Sequence, residues 1–283
     1  MTKTNSRYGK GELRTVNSKD DTIVSFLSVG KGSGVIVLPG VLSLARDYAV
    51  FASALADNFA VHTLERRGRG RSGPQGDDYS IQKEIDDVLT LQRETAASFL
   101  VGHSYGGLVA LEAARNNDAF TKIAVYEPGV SIDGSMPVCW MQGYEKKLAE
   151  NRNLDALVEF TLADAPARLA KIPAWLMKLM LRLFFVRYPG SKQMLGLLQQ
   201  NLYEWREIAR LDGHYMDYRE ISATVLLLYG GRSDSRAVDL VIERLPAVIP
   251  HCETRVFPKL DHFGIERTAP REVAKVIGDF FSK

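Results

Sequence analysis

Cysteine is scarce in this chain: the 283 residues contain only Cys139 and Cys252. Two thiols so far apart provide no disulfide framework and none of the closely spaced pairs that bind zinc. No metal-binding cluster and no flavin motif is present either, so we expect neither a metal nor a cofactor. Two reduced thiols are typical of a reducing compartment, which favours a cytoplasmic protein.

Long apolar runs and a surplus of charge are scarce as well. The first 30 residues contain no apolar segment of the length found in signal peptides. The most apolar segment, residues 172–186, is interrupted by Lys178 and Arg182 and is shorter than the roughly 20 residues of a bilayer span. The formal net charge of +2 gives no indication of nucleic-acid binding. We therefore predict a soluble protein with no integral membrane segment and no nucleic-acid partner.

What the sequence does contain is an alternation of short β-rich runs with helical patterns. Strands are predicted at residues 11–16, 22–29, 35–38, 59–64, 98–101, 123–126, 224–229 and 253–257, and helices at residues 47–56, 81–94, 105–116, 238–245 and 271–281. This alternation predicts right-handed βαβ units and an α/β fold with a mostly parallel central sheet and helices on both faces. The continuous apolar strands at 35–38 and 224–229 fit burial on both faces.

Residues 131–215 break the alternation, because they contain several helical patterns and no convincing strand. A segment of this length is too long for a loop without secondary structure of its own. We therefore predict a core made of residues 1–130 and 216–283, with residues 131–215 as a helical insertion.

Residues 98–114 place a serine between an apolar strand and a helix. At residues 102–106 the chain reads G-H-S-Y-G, which fits the pattern G-x-S-x-G. A serine on such a sharp turn is forced into a strained backbone conformation, and the flanking glycines remove side chains that would collide. The turn raises the Ser104 hydroxyl above the sheet and leaves the backbone N–H of Tyr105 available to an oxyanion. Ser104 is therefore the predicted nucleophile.

This arrangement resembles the α/β-hydrolase family, and the resemblance covers nearly the whole chain outside the insertion. It implies a nucleophile, an acid and a histidine in that chain order. Asp234 and His262 each follow a predicted strand, in loops at the carboxyl ends of the parallel sheet, where α/β sheets bind ligands. The predicted catalytic residues are therefore Ser104, Asp234 and His262.

The chemistry requires these three residue types. A serine hydroxyl is a poor nucleophile until a base takes its proton, and histidine does so near neutral pH. A carboxylate fixes the histidine tautomer and stabilises the imidazolium. Glu127, at the end of the strand at 123–126, is the alternative acid, because some relatives of this fold place the acid there. Among the other histidines, His103 flanks the serine and is expected to pack under the turn.

The resemblance also implies an oxyanion hole with a second donor after the strand at 35–38. The family usually has a His-Gly turn there, whereas this sequence has Pro39, Gly40 and Val41. The glycine matches and the histidine does not. The predicted donors are the backbone N–H groups of Val41 and Tyr105, and removing one such donor typically costs about 10²–10³ in rate.

In this family an insertion at residues 131–215 forms a cap over the nucleophile, so its composition bears on the substrate. Residues 174–186 are apolar nearly all round. The candidates for an adaptable apolar substrate pocket are Trp175, Met177, Met180 and Phe184. Packing of this helix on its neighbours and transient contact with a membrane are the alternatives.

These residues predict a serine hydrolase that acts on a small, apolar carboxylic ester or a related acyl compound through an acyl-enzyme. A serine nucleophile argues against haloalkane dehalogenase and epoxide hydrolase activity, for which this family uses an aspartate. The alternatives are a carbon–carbon bond hydrolase of a diketone-like substrate and a ligand-binding sensor on the same fold. The fold alone does not choose among them.

Residues 64–73, LERRGRGRSG, also fit the dinucleotide fingerprint G-x-G-x-x-G. That fingerprint requires the glycines to open a helix, whereas a loop beginning at Pro74 follows here, so we reject dinucleotide binding. The segment resembles the loop after the family's fourth strand, with Glu65 in place of the usual aspartate. We expect its arginines to brace neighbouring loops through carbonyls and carboxylates, and Ser72 and Gly73 to lie beside the cap.

Overall fold

The computed structural model describes residues 11–163 and 171–283 and centres on one eight-stranded sheet. The strands are β1 (Glu12–Asn17), β2 (Ile23–Val29), β3 (Ser33–Leu38), β4 (Phe59–Glu65), β5 (Phe99–His103), β6 (Lys122–Tyr126), β7 (Thr224–Gly230) and β8 (Cys252–Phe257). Their spatial order is β1-β2-β4-β3-β5-β6-β7-β8. β2 is antiparallel to both β1 and β4, and strands β3 to β8 run parallel. The predicted mostly parallel sheet is confirmed.

Nine α-helices lie in the described parts of the chain. They are α1 (Ala49–Leu55), α2 (Ile81–Thr95), α3 (Tyr105–Ala114), α4 (Met141–Ala149), α5 (Asn153–Ala163), α6 (Ala174–Arg187), α7 (Leu198–Arg210), α8 (Arg236–Val248) and α9 (Pro270–Phe281). Helices α1 and α9 pack together on one face of the sheet, and α2, α3 and α8 cover the other. Two covered faces explain why the central strands are continuous apolar runs.

Four of these helices, α4 to α7, lie between β6 and β7 and form the helical insertion. Helices α4, α5 and α7 meet around four aromatic rings with centroids 5.1–6.4 Å apart, those of Trp140, Tyr144, Phe160 and Trp205, and α6 packs on α5. Short 3₁₀ segments at Pro189–Gly196 and His214–Glu220 flank α7. In the described part of residues 131–215 there is no strand, as the sequence indicates. The division of the chain into two structural units at these bounds stays a prediction.

The predicted elements agree with the observed ones to within a few residues. The largest difference is α8, which continues to Val248 although the pattern ends at 245. Pro246 favours an earlier end because proline lacks an N–H, but in the last turn of a helix this removes only one hydrogen bond.

Candidate active site

Ser104 lies on the tight turn between β5 and α3. Its backbone has φ 54° and ψ −125°, a conformation that costs energy for any residue with a side chain. Glycine is required on both sides: a Cβ on Gly102 would lie 2.4 Å from the carbonyl oxygen of Gly106, and one on Gly106 would lie 2.2 Å from that of Leu38. The predicted strained turn is therefore present, and Ser104 lies at the positive end of the α3 dipole.

Glu127 supplies the carboxylate that contacts His262. It directly follows β6, is 4% exposed and has φ 43°, again a strained value for a residue with a side chain. Its Oε2 accepts a hydrogen bond from His262 Nδ1 at 2.8 Å. Its Oε1 accepts from the Gly230 N–H at 2.8 Å and from the Ser233 hydroxyl at 2.5 Å. These contacts fix the carboxylate and favour the histidine tautomer with the proton on Nδ1, so that Nε2 is the basic atom.

Asp234, the predicted acid, follows β7 but is exposed to solvent. Glu127 occupies the position at His262 Nδ1, which favours the alternative acid, and the choice between Asp234 and Glu127 stays a prediction. Glu127 directly follows β6, which pairs with β5, whereas Asp234 lies four residues beyond the end of β7. One feature of the sequence indicates Glu127 as a site residue: it is the first residue after a buried parallel strand.

His103 packs under the turn, as expected, and connects two loops. The Gly40 N–H donates to the Tyr48 hydroxyl at 3.0 Å, and this hydroxyl lies 2.5 Å from His103 Nδ1. His103 Nε2 lies 2.9 Å from the backbone oxygen of His262, which can only accept, so this nitrogen carries the proton. Burial holds the pKa of His103 well below its ordinary value. A neutral, buried imidazole thus positions the His262 loop against the loop that follows β3.

The loop after β3, which contains the predicted oxyanion donor Val41, lies close to the turn that holds Ser104. An added Cβ on Gly40 would lie 3.1 Å from Ser104 Cβ, which shows how closely this loop approaches the turn. Leu42 has φ 54°, so the loop is held in a conformation that most residues avoid. Within the part of the chain that the structure describes, neither the Val41 N–H nor the Tyr105 N–H donates a loop or turn hydrogen bond to another backbone group. Tyr105 is the first residue of α3, where an N–H has no partner within the helix.

Arg66 donates hydrogen bonds to the loop that follows β3. Its Nη1 donates to the carbonyl oxygens of Pro39 at 3.3 Å and Gly40 at 3.2 Å. Its guanidinium also forms a bidentate pair with Glu84 of α2, at 2.6 and 2.7 Å, and lies 4.6 Å above the Tyr105 ring. The side chain is fully buried. Burial alone would lower the pKa of Arg66, but neighbouring carboxylates raise it well above its ordinary value.

The same group contacts the helical insertion. Glu204 of α7 lies 3.0 Å from Arg66 Nη2 and 2.6 Å from Arg69 Nη2, and all three side chains are fully buried. Arg67 instead pairs with Asp87 of α2 at 2.7 Å. The expectation that these arginines brace neighbouring loops and carboxylates is confirmed.

Ser72 and Gly73 bond to β2, through the Ser25 N–H at 2.8 Å and the Ile23 carbonyl oxygen at 2.7 Å. The contacts of this segment with α7 are made by Arg66 and Arg69, and the place of Ser72 and Gly73 beside the cap stays a prediction.

The four predicted pocket residues of α6 face different directions. Met177 is buried and Phe184 is partly buried, with its ring 5.6 Å from that of Phe185. Trp175 is 69% exposed and Met180 is 47% exposed, so the structure does not enclose them in a pocket. Helical periodicity does not predict which of these four residues are buried, because α6 is apolar nearly all round.

Residues 35–276 match the model of the Alpha/beta hydrolase family, and the chain belongs to that family. A curated relative, the N-formylmaleamate deformylase of Pseudomonas putida KT2440, is 30% identical over 109 residues, which is 37% of this chain and 41% of the relative. The match thus spans well under half of that enzyme.

Solved structures resemble the whole chain. An alpha/beta hydrolase from Sphaerobacter thermophilus is 27% identical, with a TM-score of 0.80 over 95% of this chain and all of the other. The N-formylmaleamic acid deformylase from Pseudomonas putida S16 is 19% identical, with a TM-score of 0.68 over 94% of this chain and all of the other, which shows a shared fold.

Proposed function

We propose that the protein is a serine hydrolase in which Ser104, His262 and Glu127 form the catalytic triad. The observation that carries the proposal is the buried Glu127 carboxylate on His262 Nδ1, at 2.8 Å, beside the strained turn at Ser104. A carboxylate with two further donors on its other oxygen stabilises an imidazolium without taking its proton.

In the acylation step, Ser104 Oγ attacks the carbonyl carbon of the substrate while His262 Nε2 takes the hydroxyl proton. Glu127 stabilises the charged ring, whose Nδ1–H it already accepts. The substrate oxygen becomes an oxyanion and accepts hydrogen bonds from the N–H groups of Val41 and Tyr105. His262 then gives the proton to the leaving group, and the acyl group stays on Ser104.

In the deacylation step, a water molecule loses a proton to His262 and attacks the acyl carbon. The same donors stabilise the second oxyanion, and the proton returns from His262 to Ser104 as the acid leaves. The cycle needs no further group.

Arg66 supports the oxyanion hole in this proposal as a positioning residue. The Gly40 carbonyl and the Val41 N–H belong to one planar peptide, so a donor on the carbonyl oxygen fixes the direction of the N–H. The same guanidinium lies over the ring of Tyr105, which provides the other N–H. One buried cation therefore contacts both sides of the proposed hole.

The proposed substrate is a small carboxylic ester or related acyl compound. The resemblance to two N-formylmaleamate deformylases favours a second candidate, hydrolysis of an N-formyl amide by the same residues. Both reactions release the acyl group as an acid, and they differ in the leaving atom that His262 protonates.

The test is a panel of short and medium p-nitrophenyl esters together with an N-formyl amide, assayed with Ser104→Ala. We expect the variant to lose turnover of every compound that the native protein hydrolyses. Ser53→Ala, at an exposed serine of α1, is the matched control and keeps activity. Unchanged turnover in Ser104→Ala contradicts the proposal, and the ratio of ester to amide turnover chooses between the two candidates.

A further inference from the structure

Helix α6 exposes apolar side chains that the fold does not use. Six large apolar residues between 175 and 188 are 45–76% exposed: Trp175, Leu179, Met180, Leu183, Val186 and Tyr188. The opposite side of the helix packs inward, through residues such as Met177 and Phe185, which are 6% and 5% exposed. A helix that is apolar nearly all round but buried on only one side exposes an apolar face, which is typical of an interaction surface.

The exposed residues form a continuous stripe, which we name the α6 outer face: Trp175, Leu179, Leu183 and Val186. They follow one another at intervals of four, four and three residues. At about 100° per residue, these positions lie within an arc of about 80° along three turns of the helix. The face is therefore one coherent surface.

The charged residues on the segment that carries the outer face are all basic. From residue 165 to residue 203 the sequence contains no aspartate and no glutamate, but six lysines and arginines. Four of them are exposed in the structure: Lys171, Arg182, Arg187 and Lys192. Lys178 also lies beside the face but pairs with Asp155 of α5 at 2.5 Å.

We propose that the α6 outer face binds the surface of an anionic lipid bilayer. An apolar stripe with a tryptophan, bordered by basic side chains, is the composition of helices that lie in the membrane interface. The aliphatic stems of Arg182 and Arg187 extend the apolar surface while their guanidinium groups reach anionic headgroups. The interaction is peripheral, since no helix of the described residues has the length and apolar character to cross a membrane.

The charge pattern argues against a second copy of the chain as the partner. A twofold contact through the outer face would place Arg182 and Arg187 of one copy near the same residues of the other. Nothing acidic on the 165–203 segment would offset that repulsion. An anionic bilayer offers both an apolar interior and negative charge, which complement the two properties of the face.

Tryptophan fluorescence provides a direct test, because two of the three tryptophans are buried. Trp140 and Trp205 are 5% and 3% exposed, so a change on membrane binding reports on Trp175. The full-length protein is titrated with vesicles of equimolar phosphatidylcholine and phosphatidylglycerol, and with vesicles of phosphatidylcholine alone. We expect a blue shift and co-sedimentation with the anionic vesicles, both weakened by added salt.

Two variants separate the apolar and the charged contributions. Leu183→Glu should lower partitioning at least about tenfold, because it removes a leucine that the bilayer would bury and adds a charge that the anionic headgroups repel. The double variant Arg182→Gln and Arg187→Gln should lower it about tenfold or more on anionic vesicles only. Val50→Glu changes an exposed valine of α1 and is the matched control, which keeps native binding. Circular dichroism confirms that each variant is folded.

The proposal is overturned by any of these results: no binding to anionic vesicles, equal binding by native protein and Leu183→Glu, or a dimer that Leu183→Glu dissociates in sedimentation equilibrium. Binding of an acidic polyglutamate peptide in place of the vesicles, with no shift of Trp175, also overturns it and indicates an acidic protein partner. Ser104→Ala should bind vesicles like the native protein, so the proposal stands or fails independently of the catalytic triad.

Discussion

Helices α6 and α9 are both rich in large apolar residues, yet α9 exposes charged side chains to solvent and α6 exposes apolar ones. Helix α9 buries Val273, Ile277 and Phe281 against the sheet and exposes Arg271 and Lys275. Helix α6 buries one apolar side and exposes another, from Trp175 to Val186. Apolar residues that the fold uses are buried, and those it leaves exposed are available to bind something else.

The same contrast separates the catalytic loops from the α6 outer face. Glu127, His103 and Arg66 are buried, and each has several polar partners in the loops around Ser104. The side chains of the outer face are 45–76% exposed. Substitutions in the first region should therefore cost activity or stability, whereas those in the second should not.

The largest effect is expected for Glu127→Gln. The change keeps the size of the side chain but favours the wrong tautomer of His262, and a comparable change in a serine protease costs about 10⁴ in kcat. Asp234→Asn, at the exposed carboxylate that the sequence favours, is the matched control and should keep native activity. A larger loss in Asp234→Asn than in Glu127→Gln would reverse the assignment of the acid.

A pair of alanine substitutions measures the contrast between the helices. Ile277→Ala in α9 should lower the free energy of unfolding by about 2–5 kcal/mol, because it leaves a cavity at a fully buried site. Leu183→Ala in α6 should change it by no more than about 0.5 kcal/mol, because the side chain is 60% exposed. Urea denaturation of both variants checks this. Equal losses would mean that the outer face is part of the folded core.

Arg66→Lys tests whether the buried cation positions the oxyanion hole. A lysine keeps the charge but cannot pair with Glu84 and donate to two carbonyls together, so kcat should fall about 10²-fold with little change in KM. Arg67→Lys is the control, since Arg67 has a similar ion pair with Asp87 but no contact with the loop at 39–41. If activity in both variants falls only in step with stability, Arg66 has a structural role alone.

His103 should make stability depend on pH. Burial keeps it neutral in the folded protein, whereas in the unfolded chain it takes up a proton below a pH of about 6.5. The unfolded state then binds the extra proton. The free energy of unfolding therefore decreases as the pH is lowered below about 6.5, by up to about 1.4 kcal/mol per pH unit. Urea titrations at falling pH should show this slope in full in the native protein and in His214→Gln, an exposed control, and a smaller slope in His103→Gln, because burial lowers the pKa of His62 to about 4 and His62 still contributes. An identical slope in all three contradicts the assignment.

The fold was predictable from the sequence because parallel strands buried on both faces require short continuous apolar runs, which alternate here with helical patterns. The turn at Ser104 was predictable because its glycines are imposed by close backbone contacts. The choice between Asp234 and Glu127 was not, because both follow parallel strands and only the folded structure shows that the Glu127 carboxylate lies at His262 Nδ1. The exposure of Trp175 and Met180 was hidden because α6 is apolar nearly all round, so its pattern does not separate exposed apolar residues from buried ones.

The most direct test of the proposed triad is labelling with a fluorophosphonate, which reacts with activated serines, followed by mass spectrometry to locate the label. The triad predicts a label on Ser104 that forms slowly in Glu127→Gln and at the native rate in Asp234→Asn. A label on another residue, or no label on folded native protein, would contradict it.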